Sequence, residues 1–332
     1  MRGSPGRLAR AVVVGVATLL AIAITAGAVT AGAGNAASTK RIKIGFINLS
    51  DQIPFTLSVR KGVQAAAKKA HVQLVICDSR LSVEKAINCA RQFKSQHVQG
   101  IANFQADQAG APRVCAAGPK VPVVAVDIPQ KPCQKVFFGA NNYGAGRIAG
   151  VALGRFAKQR WNCKIDAVLS ISSPANKLVV VRENGELAGL KSQCADVQVI
   201  SVTPTAYTTD ATIQPFTDTL TRLPGKHHLL VLGINDDVAI GAVKAAQSAN
   251  RLDDIYVAGQ GADPTSWPYI CATTPFKNWV ADTGYFPERY GSYIVPLLLK
   301  LIKGVKVPRT VYLKHKAVTK ANITSFYPSA CK

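Results

Sequence analysis

The chain has 332 residues and a formal net charge of +22, from 40 Lys and Arg against 18 Asp and Glu. Its 48% of apolar residues and 17% of charged residues exclude a disordered chain, and its length suggests two domains. The positive charge favours anionic partners, but lysines such as Lys68, Lys94 and Lys244 are scattered over predicted helix faces without an arginine–aromatic stripe. We therefore expect no nucleic-acid partner.

The first 37 residues have the composition of a secretory signal peptide. Three arginines and no acid precede a small and apolar run at 11–29, and small residues suited to cleavage follow at 31–38. We therefore expect an exported protein, found in the periplasm or on the outer face of the cytoplasmic membrane. An uncleaved helix that anchors the chain is the alternative. No cysteine lies near the cleavage region, so we do not expect a lipoprotein.

The rest of the chain contains the same pattern of four apolar strands twice. The first set is predicted at 42–49, 72–77, 100–104 and 121–127, and the second at 164–172, 197–202, 229–235 and 255–260. A segment that can form a helix follows each strand, which predicts βαβ units and parallel sheets. The matches lie too far apart for a solenoid repeat. The fold class is therefore α/β, with two similar doubly wound lobes and a cleft between them.

Eight cysteines, an even number, favour disulfides in an exported chain. The connectivity cannot be read from the spacing. Neighbouring positions in the predicted fold favour the pairs Cys77–Cys89, Cys115–Cys133, Cys163–Cys194 and Cys271–Cys331. No C-x-x-C spacing indicates a zinc site.

Motifs of catalysis and of cofactor binding are weak. Gly144, Gly146 and Ala149 fit G-x-G-x-x-A, but the motif does not join a strand to its helix, so we interpret the glycines as allowing a helix to approach the sheet closely. His227 and His228 are adjacent and would point to opposite sides of a strand. We predict no catalytic residue, metal or cofactor, although an exported hydrolase stays an alternative.

Polar and aromatic residues follow the strands of both predicted lobes. In an open α/β sheet such residues meet at the carboxyl ends of the strands, where ligands bind. Taken alone, any one of these residues is explained equally well as a turn former or a helix cap. Asn235, for example, could simply cap the next helix. As a set, aromatic rings, amides, a carboxylate and a guanidinium suit a neutral polyhydroxylated ligand.

The chain resembles the ribose- and galactose-binding type of periplasmic sugar-binding protein, the solute receptor of ABC importers. The resemblance covers about residues 40–320 and rests on IGFINLSDQIPF, VPVVAVD, FFGANNYGAGRIAG, VRENGELAGL, INDDVAIGAVKAAQ and VAGQGADP in this order. It implies a type I periplasmic binding protein fold with a three-segment hinge. The predicted ligand-binding residues are Phe55, Asn103, Asp127, Arg182, Tyr207, Asn235, Gln260 and Tyr285.

The resemblance gives a role to each of these residues except Gln260. Phe55 and Tyr207 match ring-stacking aromatics, and Arg182 matches an arginine that clamps ring and hydroxyl oxygens. Asn103, Asp127 and Asn235 match partners of sugar hydroxyls; Tyr285 stands where the family has a polar residue beside a hinge.

Two positions depart from the family pattern. Thr56 stands where a second aromatic is common, and Gly261, after Gln260, stands where an aspartate is common. The identity of the sugar is therefore open. The lactose-repressor type of regulator shares the fold but carries a helix-turn-helix where this chain has its signal-like segment, so a DNA-binding regulator is disfavoured.

The resemblance also divides the chain. We predict an N-terminal lobe of 40–141 with 286–313 and a C-terminal lobe of 142–285 with 314–332. The expected function is a non-enzymatic, monomeric receptor that closes on a small sugar or polyol and delivers it to a membrane permease of the ABC type. The alternatives are a ligand-sensing module of a membrane receptor kinase and a receptor for a non-sugar molecule.

Overall fold

The computed structural model describes residues 41–332, apart from residues 173 and 175. The predicted signal peptide at 1–37 lies outside the described residues. Within the described part of the chain, no helix is both long enough and apolar enough to cross a bilayer.

Two six-stranded sheets form the frame of the protein. Numbered along the chain, their strands are β1 (Lys43–Asn48), β2 (Gln73–Asp78), β3 (Gly100–Asn103), β4 (Val123–Val126), β5 (Gln134–Gly139), β6 (Ala167–Ile171), β7 (Val199–Val202), β8 (Leu229–Gly233), β9 (Ile255–Gly261), β10 (Trp279–Gly284), β11 (Thr310–Tyr312) and β12 (Lys316–Val318).

The two sheets have matching strand orders. The first runs β2-β1-β3-β4-β5-β11 and is parallel throughout, while the second runs β7-β6-β8-β9-β10-β12 with β12 antiparallel to β10. The first five strands of each sheet thus repeat the doubly wound order 2-1-3-4-5. The predicted α/β fold with two doubly wound sheets is confirmed.

Helices connect the strands and cover the sheets. They are α1 (Pro54–Lys69), α2 (Val83–Ser95), α3 (Ala111–Ala117), α4 (Asn142–Trp161), α5 (Lys177–Lys191), α6 (Thr209–Thr221), α7 (Asp236–Ser248), α8 (Trp267–Ile270), α9 (Gly291–Ile302) and α10 (Ile323–Phe326). Apolar side chains from the strands, such as Phe46, Phe138 and Leu169, are completely buried beneath them.

The chain passes from one sheet to the other at three places. The first lies between β5 and α4, which packs on β9 and β10 of the second sheet. The second follows β10, because α9 packs back on β3 and β4, and the third separates β11 from β12. These passages support the lobe boundaries at 141/142, 285/286 and 313/314, which stay a prediction.

Four disulfides link the four predicted pairs of cysteines. Cys77–Cys89 and Cys115–Cys133 lie in the part that carries the first sheet, while Cys163–Cys194 and Cys271–Cys331 lie in the part that carries the second. All eight cysteines are paired. The even count in the sequence is explained by a framework typical of exported proteins.

The glycines of α4 allow close contact with α5. A Cβ atom on Gly146 would come 2.0 Å from the carbonyl oxygen of Arg182, and one on Gly150 would come 1.8 Å from that of Glu186. The close approach predicted from the G-x-G-x-x-A motif therefore joins two helices, not a helix and the sheet. It fixes the position of α5, which carries Arg182.

Candidate functional site

A cavity of about 260 Å³ lies at the carboxyl ends of the strands of both sheets. This volume is close to the lower end of the ~300–1,000 Å³ range of small-molecule sites. The lining combines apolar and aromatic side chains with amides, carboxylates and one guanidinium. The lining residues are Ile53, Pro54, Phe55, Phe104, Asp127, Ile128, Ala140, Asn142, Leu178, Arg182, Asn235, Asp236, Asp237, Gln260, Gly261, Asp263 and Tyr285.

Arg182 projects from the first half of α5 into this cavity. Its Nε and Nη2 donate to Oδ1 of Asn142 at 3.1 and 2.8 Å, and its Nη1 donates to the carbonyl oxygen of Ile234. The guanidinium carbon lies 5.0 Å from the centre of the Tyr285 ring, within the range of a cation–π contact. Arg182 is therefore held rigidly, with donor capacity left for a ligand.

Asp127 follows β4 and has a positive φ of 53°. Its Oδ1 accepts hydrogen bonds from the Ala140 backbone N–H at 2.8 Å and from the Tyr290 hydroxyl at 3.3 Å. Burial raises the pKa of Asp127 to about 6, although both hydrogen bonds and the nearby Arg182 favour the ionised form. Both of these hydrogen bonds go to Oδ1, and the other carboxylate oxygen, Oδ2, accepts none from the described residues.

Aromatic rings form one wall of the cavity. Phe55, in the first turn of α1, meets Tyr285 edge to face at a centroid distance of 6.3 Å and Tyr290 at 5.8 Å. Tyr285 follows the last parallel strand of the second sheet, so this contact connects the two sheets. Rings of this kind can pack against the C–H faces of a sugar.

Gln260 is held at the cavity by a chain of buried hydrogen bonds. Its Nε2 donates to Oε1 of Glu186, and its Oε1 accepts from the Tyr285 hydroxyl at 3.0 Å. Glu186 is completely buried, and burial raises its pKa to about 8. Gln260 therefore presents a fixed amide, with one N–H still available.

Asn235 lines the cavity while capping a helix. Its Oδ1 accepts from the Val238 backbone N–H at 2.9 Å, and its Nδ2 donates to the carbonyl oxygen of Tyr207 at 3.1 Å. Asn235 is thus the N-cap residue of α7, as the helix-cap interpretation predicted. The cap accounts for its Oδ1 and one N–H, and leaves the second N–H of the amide.

Six of the eight predicted site residues line the cavity, and Asn103 and Tyr207 do not. The Asn103 amide is 2% exposed and donates to Oε1 of Gln130 at 3.1 Å, while Phe104 beside it reaches the cavity. Tyr207 is half-buried and packs against the core. Their roles as ligand partners stay predictions, with less support than the other six.

Residues 44–306 match the family model described as periplasmic binding protein domain. The chain belongs to this family. The match covers nearly all of both sheets and ends just after α9.

Curated relatives agree with this assignment. This chain is 23% identical over 270 residues to the ribose import binding protein of Salmonella typhimurium. The alignment covers 80% of this chain and 87% of the relative. A putative rhizopine-binding protein of Rhizobium meliloti is 35% identical over 98 residues, which span 29% of this chain and 30% of that protein.

Solved structures share the fold. An ABC transporter solute-binding protein from Mycobacterium smegmatis with bound glycerol has a TM-score of 0.73 at 21% identity, covering 86% of this chain and 96% of that one. A periplasmic solute-binding protein from Actinobacillus succinogenes with bound D-allose has a TM-score of 0.73 at 18% identity, covering 86% and 100%. The likeness confirms the type I architecture of the binding protein.

Four polar residues of the cavity are not among the eight predicted site residues, namely Asn142, Asp236, Asp237 and Asp263. Asn142 lies at the first passage between the sheets and orients Arg182. Asp236 and Asp237 follow Asn235 in the first turn of α7, and Asp263 follows β9 by two residues. Their place after the strands was the available signal, but the same place suits helix caps and turns.

The described residues offer no group of three or more His, Cys, Asp or Glu side chains placed to hold a metal ion. The ring of His315 is tilted against that of Tyr285 at a centroid distance of 4.6 Å, and His315 is kept neutral because burial lowers its pKa to about 4. The lining can form directional hydrogen bonds and ring contacts with a ligand.

Proposed function

We propose that this binding protein captures a small sugar or polyol in the cavity between its sheets and delivers it to an ABC importer. The observation that carries the proposal is the composition of the cavity, which combines the aromatic wall of Phe55 and Tyr285 with the fixed donors of Arg182 and Gln260 and the acceptor Asp127. Such a lining matches ring C–H faces and hydroxyls together. The proposal is supported by a relative that is named for ribose import and by a different protein of the same fold that was solved with bound D-allose.

Binding is coupled to closure in this proposal. Arg182 and Asp127 come from parts of the chain that carry different sheets, so a ligand that contacts both joins the two predicted lobes. Hinge closure would use the three passages between the sheets. The protein acts outside the cytoplasm as a monomer and hands the ligand to a permease, without chemical change to the ligand.

A thermal-shift screen against pentoses, hexoses and polyols tests the proposal. A ligand at about 100 times its Kd adds ~2.7 kcal/mol to the free energy of unfolding, which is a shift of several degrees. The same mixtures are analysed by chromatography after prolonged incubation. Stabilisation with unchanged sugar is expected. Conversion of any sugar would indicate an enzyme, and no stabilisation by any member would reject sugar and polyol binding.

A ligand-sensing module of a membrane receptor kinase would use the same cavity, but its partner would be a kinase and not a permease. A genomic neighbourhood with a permease and an ATPase is the expected result, and a histidine kinase in their place would favour a ligand-sensing module. The thermal-shift screen also tests the second alternative, a receptor for a non-sugar molecule, because stabilisation by no sugar or polyol would favour it.

A further inference from the structure

The positive charge of the protein is divided unevenly between the two sheets. The ranges 41–141 and 286–313, which carry the first sheet, contain 19 Lys and Arg but only six Asp and Glu. The ranges 142–285 and 314–332, which carry the second sheet, contain 17 Lys and Arg and 12 Asp and Glu. The excess of cations is therefore concentrated in the part of the chain that carries the first sheet.

The six acids of this part all lie towards one edge of the first sheet. Four of them end or follow the strands β1 to β4, and the other two lie in the first turn of α2 and just before α9. In a sheet built from βαβ units, the carboxyl ends of the strands and the starts of the helices share one edge, and here that edge faces the cavity. The six acids are Asp51, Asp78, Glu84, Asp107, Asp127 and Glu288.

The opposite edge of the first sheet carries cations. The amino ends of the strands meet there, since the Gln99 backbone N–H donates to the carbonyl oxygen of Lys43 at 2.7 Å. Helices end at the same edge, as shown by Ile302 of α9, whose Cδ1 would lie 3.1 Å from a Cβ atom on Gly100. We call this surface the cationic face and define it by six exposed residues, Arg41, Lys68, Lys69, Lys94, Lys300 and Lys303.

The charges of the cationic face are not compensated by the protein. None of the six residues has a carboxylate oxygen of the described chain within 4.0 Å of its side-chain nitrogens. Lys68 and Lys94, which the sequence alone suggested to be scattered over helix faces, therefore belong to one surface of uniform sign. Such a surface attracts anionic partners.

The corresponding edge of the second sheet has mixed charges. Asp166, just before β6, lies 3.4 Å from Lys226, and Asp254, just before β9, contacts Arg251 at 2.6 Å. The carboxyl ends of helices favour cations equally at both sheets. That preference therefore explains lysines in the last turns of the helices, but it does not explain why acids are missing from the edge of the first sheet alone.

Apolar groups are exposed among these cations. Val305, which lies between Lys303 and Lys306, is 48% exposed. A groove of about 810 Å³ opens on the same face, with basic groups on one side and apolar side chains on the other. A partner that offers anionic groups together with hydrocarbon would match this surface better than a purely polar polyanion. The groove is lined by Arg41, Lys68, Lys69, His71, Val72 and Leu74, among others.

We infer that the cationic face binds the anionic headgroups of a lipid bilayer. The lysines would lie against the headgroups, and Val305 would contact the boundary between headgroups and acyl chains. The segment that precedes the described chain joins it at Arg41, on this face. If the apolar run at 11–29 anchors the protein, residues 30–40 span at most ~40 Å when extended, which keeps the cationic face near the bilayer. The cavity lies at the opposite edge of the first sheet and stays accessible to its ligand.

Flotation with lipid vesicles tests the inference. The protein, purified in the form in which cells export it, is mixed with vesicles of phosphatidylcholine that contain 0, 20 or 40% phosphatidylglycerol. We expect binding that increases with phosphatidylglycerol and decreases between 50 and 500 mM NaCl, because salt screens the attraction. Saturation with a polyol that binds the cavity should leave vesicle binding unchanged.

Variants of equal net charge locate the contact. Lys68, Lys69, Lys300 and Lys303 are replaced together by Gln, and each lysine near an anionic surface strengthens binding about fivefold. This quadruple variant should bind vesicles about a hundredfold more weakly or worse. The control replaces four exposed lysines of the part that carries the second sheet, Lys158, Lys164, Lys191 and Lys244, by Gln and should bind like the wild type. All three proteins carry the same N-terminal segment, and melting curves confirm that they fold.

Three outcomes would overturn the inference. The first is no binding to vesicles with 40% phosphatidylglycerol at 50 mM NaCl. The second is an equal loss of binding in the two quadruple variants, which would show that net charge acts without a defined face. The third is retention on immobilised dextran sulfate without any binding to vesicles, which would indicate an anionic polymer as the partner. None of these outcomes bears on polyol binding, which both quadruple variants should retain.

Discussion

The α-carbon of Gly146 lies so close to the carbonyl oxygen of Arg182 that a methyl group on Gly146 would come within 2.0 Å of that oxygen. The contact places the backbone of α5 against α4, and α4 begins where the chain enters the second sheet. A feature of helix packing thereby sets the position of the one guanidinium among the described residues of the cavity.

Gly146→Ala should therefore disturb both stability and binding. A methyl group against backbone cannot be accommodated by side-chain rotation, so α5 must shift, at a cost of ~1–3 kcal/mol or more. We expect a lower melting temperature and a weaker affinity for the ligand. Gly144→Ala is the matched control on the same helix, because its nearest neighbours are atoms of the Asn141 side chain at 3.1 Å. Equal melting temperatures for the two variants would contradict the packing account.

The stability of the protein should depend on the ionisation of Glu186. Burial raises its pKa from 4.5 to about 8, so folding favours the neutral form. The contribution of neutral Glu186 to the free energy of unfolding is fully present below pH ~4.5. It is lost as the pH rises to ~8, at up to ~1.4 kcal/mol for each pH unit. Glu186→Gln keeps the shape and removes the titration, so the variant should gain stability relative to the wild type over this interval.

Urea unfolding at pH 5, 6, 7, 8 and 9 measures this difference. Glu84→Gln is the control, since the Glu84 side chain is 71% exposed. Stability profiles of Glu186→Gln and wild type that run parallel from pH 5 to pH 8 would show that Glu186 does not titrate in this range.

The sequence predicted the alternating strands well, because buried parallel strands are continuous apolar runs. The predicted strand at 229–235 corresponds to β8 at Leu229–Gly233, and that at 255–260 to β9 at Ile255–Gly261. Four strands were missed. β11 and β12 have three residues each, and β5 and β10 lie beside the passages between the sheets, where the apolar pattern is interrupted.

The site was predicted less completely, since side-chain partners depend on the fold. Asn103 ends a strand as expected, yet its amide is taken by Gln130, which is 27 residues away in sequence. Asp263 follows the predicted strand at 255–260, but this position suits a turn former equally well. Nothing in the local sequence distinguishes a carboxylate that caps a turn from one that also faces a cavity.

The disulfides should differ in their effect on stability. In the chain-entropy model the stabilisation grows with the length of the closed loop, and Cys271–Cys331 spans 60 residues where Cys77–Cys89 spans 12. Replacement of both cysteines by alanine should cost ~1.4 kcal/mol more for the first pair than for the second. Chemical unfolding of the two double variants measures the difference. A larger loss for the Cys77–Cys89 variant would contradict the entropic account.

The affinity of Arg182→Ala and Asp127→Asn for the polyol found by screening tests the account most directly. Charge-assisted hydrogen bonds contribute ~1.5–3 kcal/mol each, so each variant should bind ten- to a hundredfold more weakly by isothermal titration. Arg160→Ala, which removes a guanidinium beside Phe156 and outside the cavity, should bind normally. Wild-type affinity in both Arg182→Ala and Asp127→Asn would show that the ligand does not bind in the cavity between the sheets.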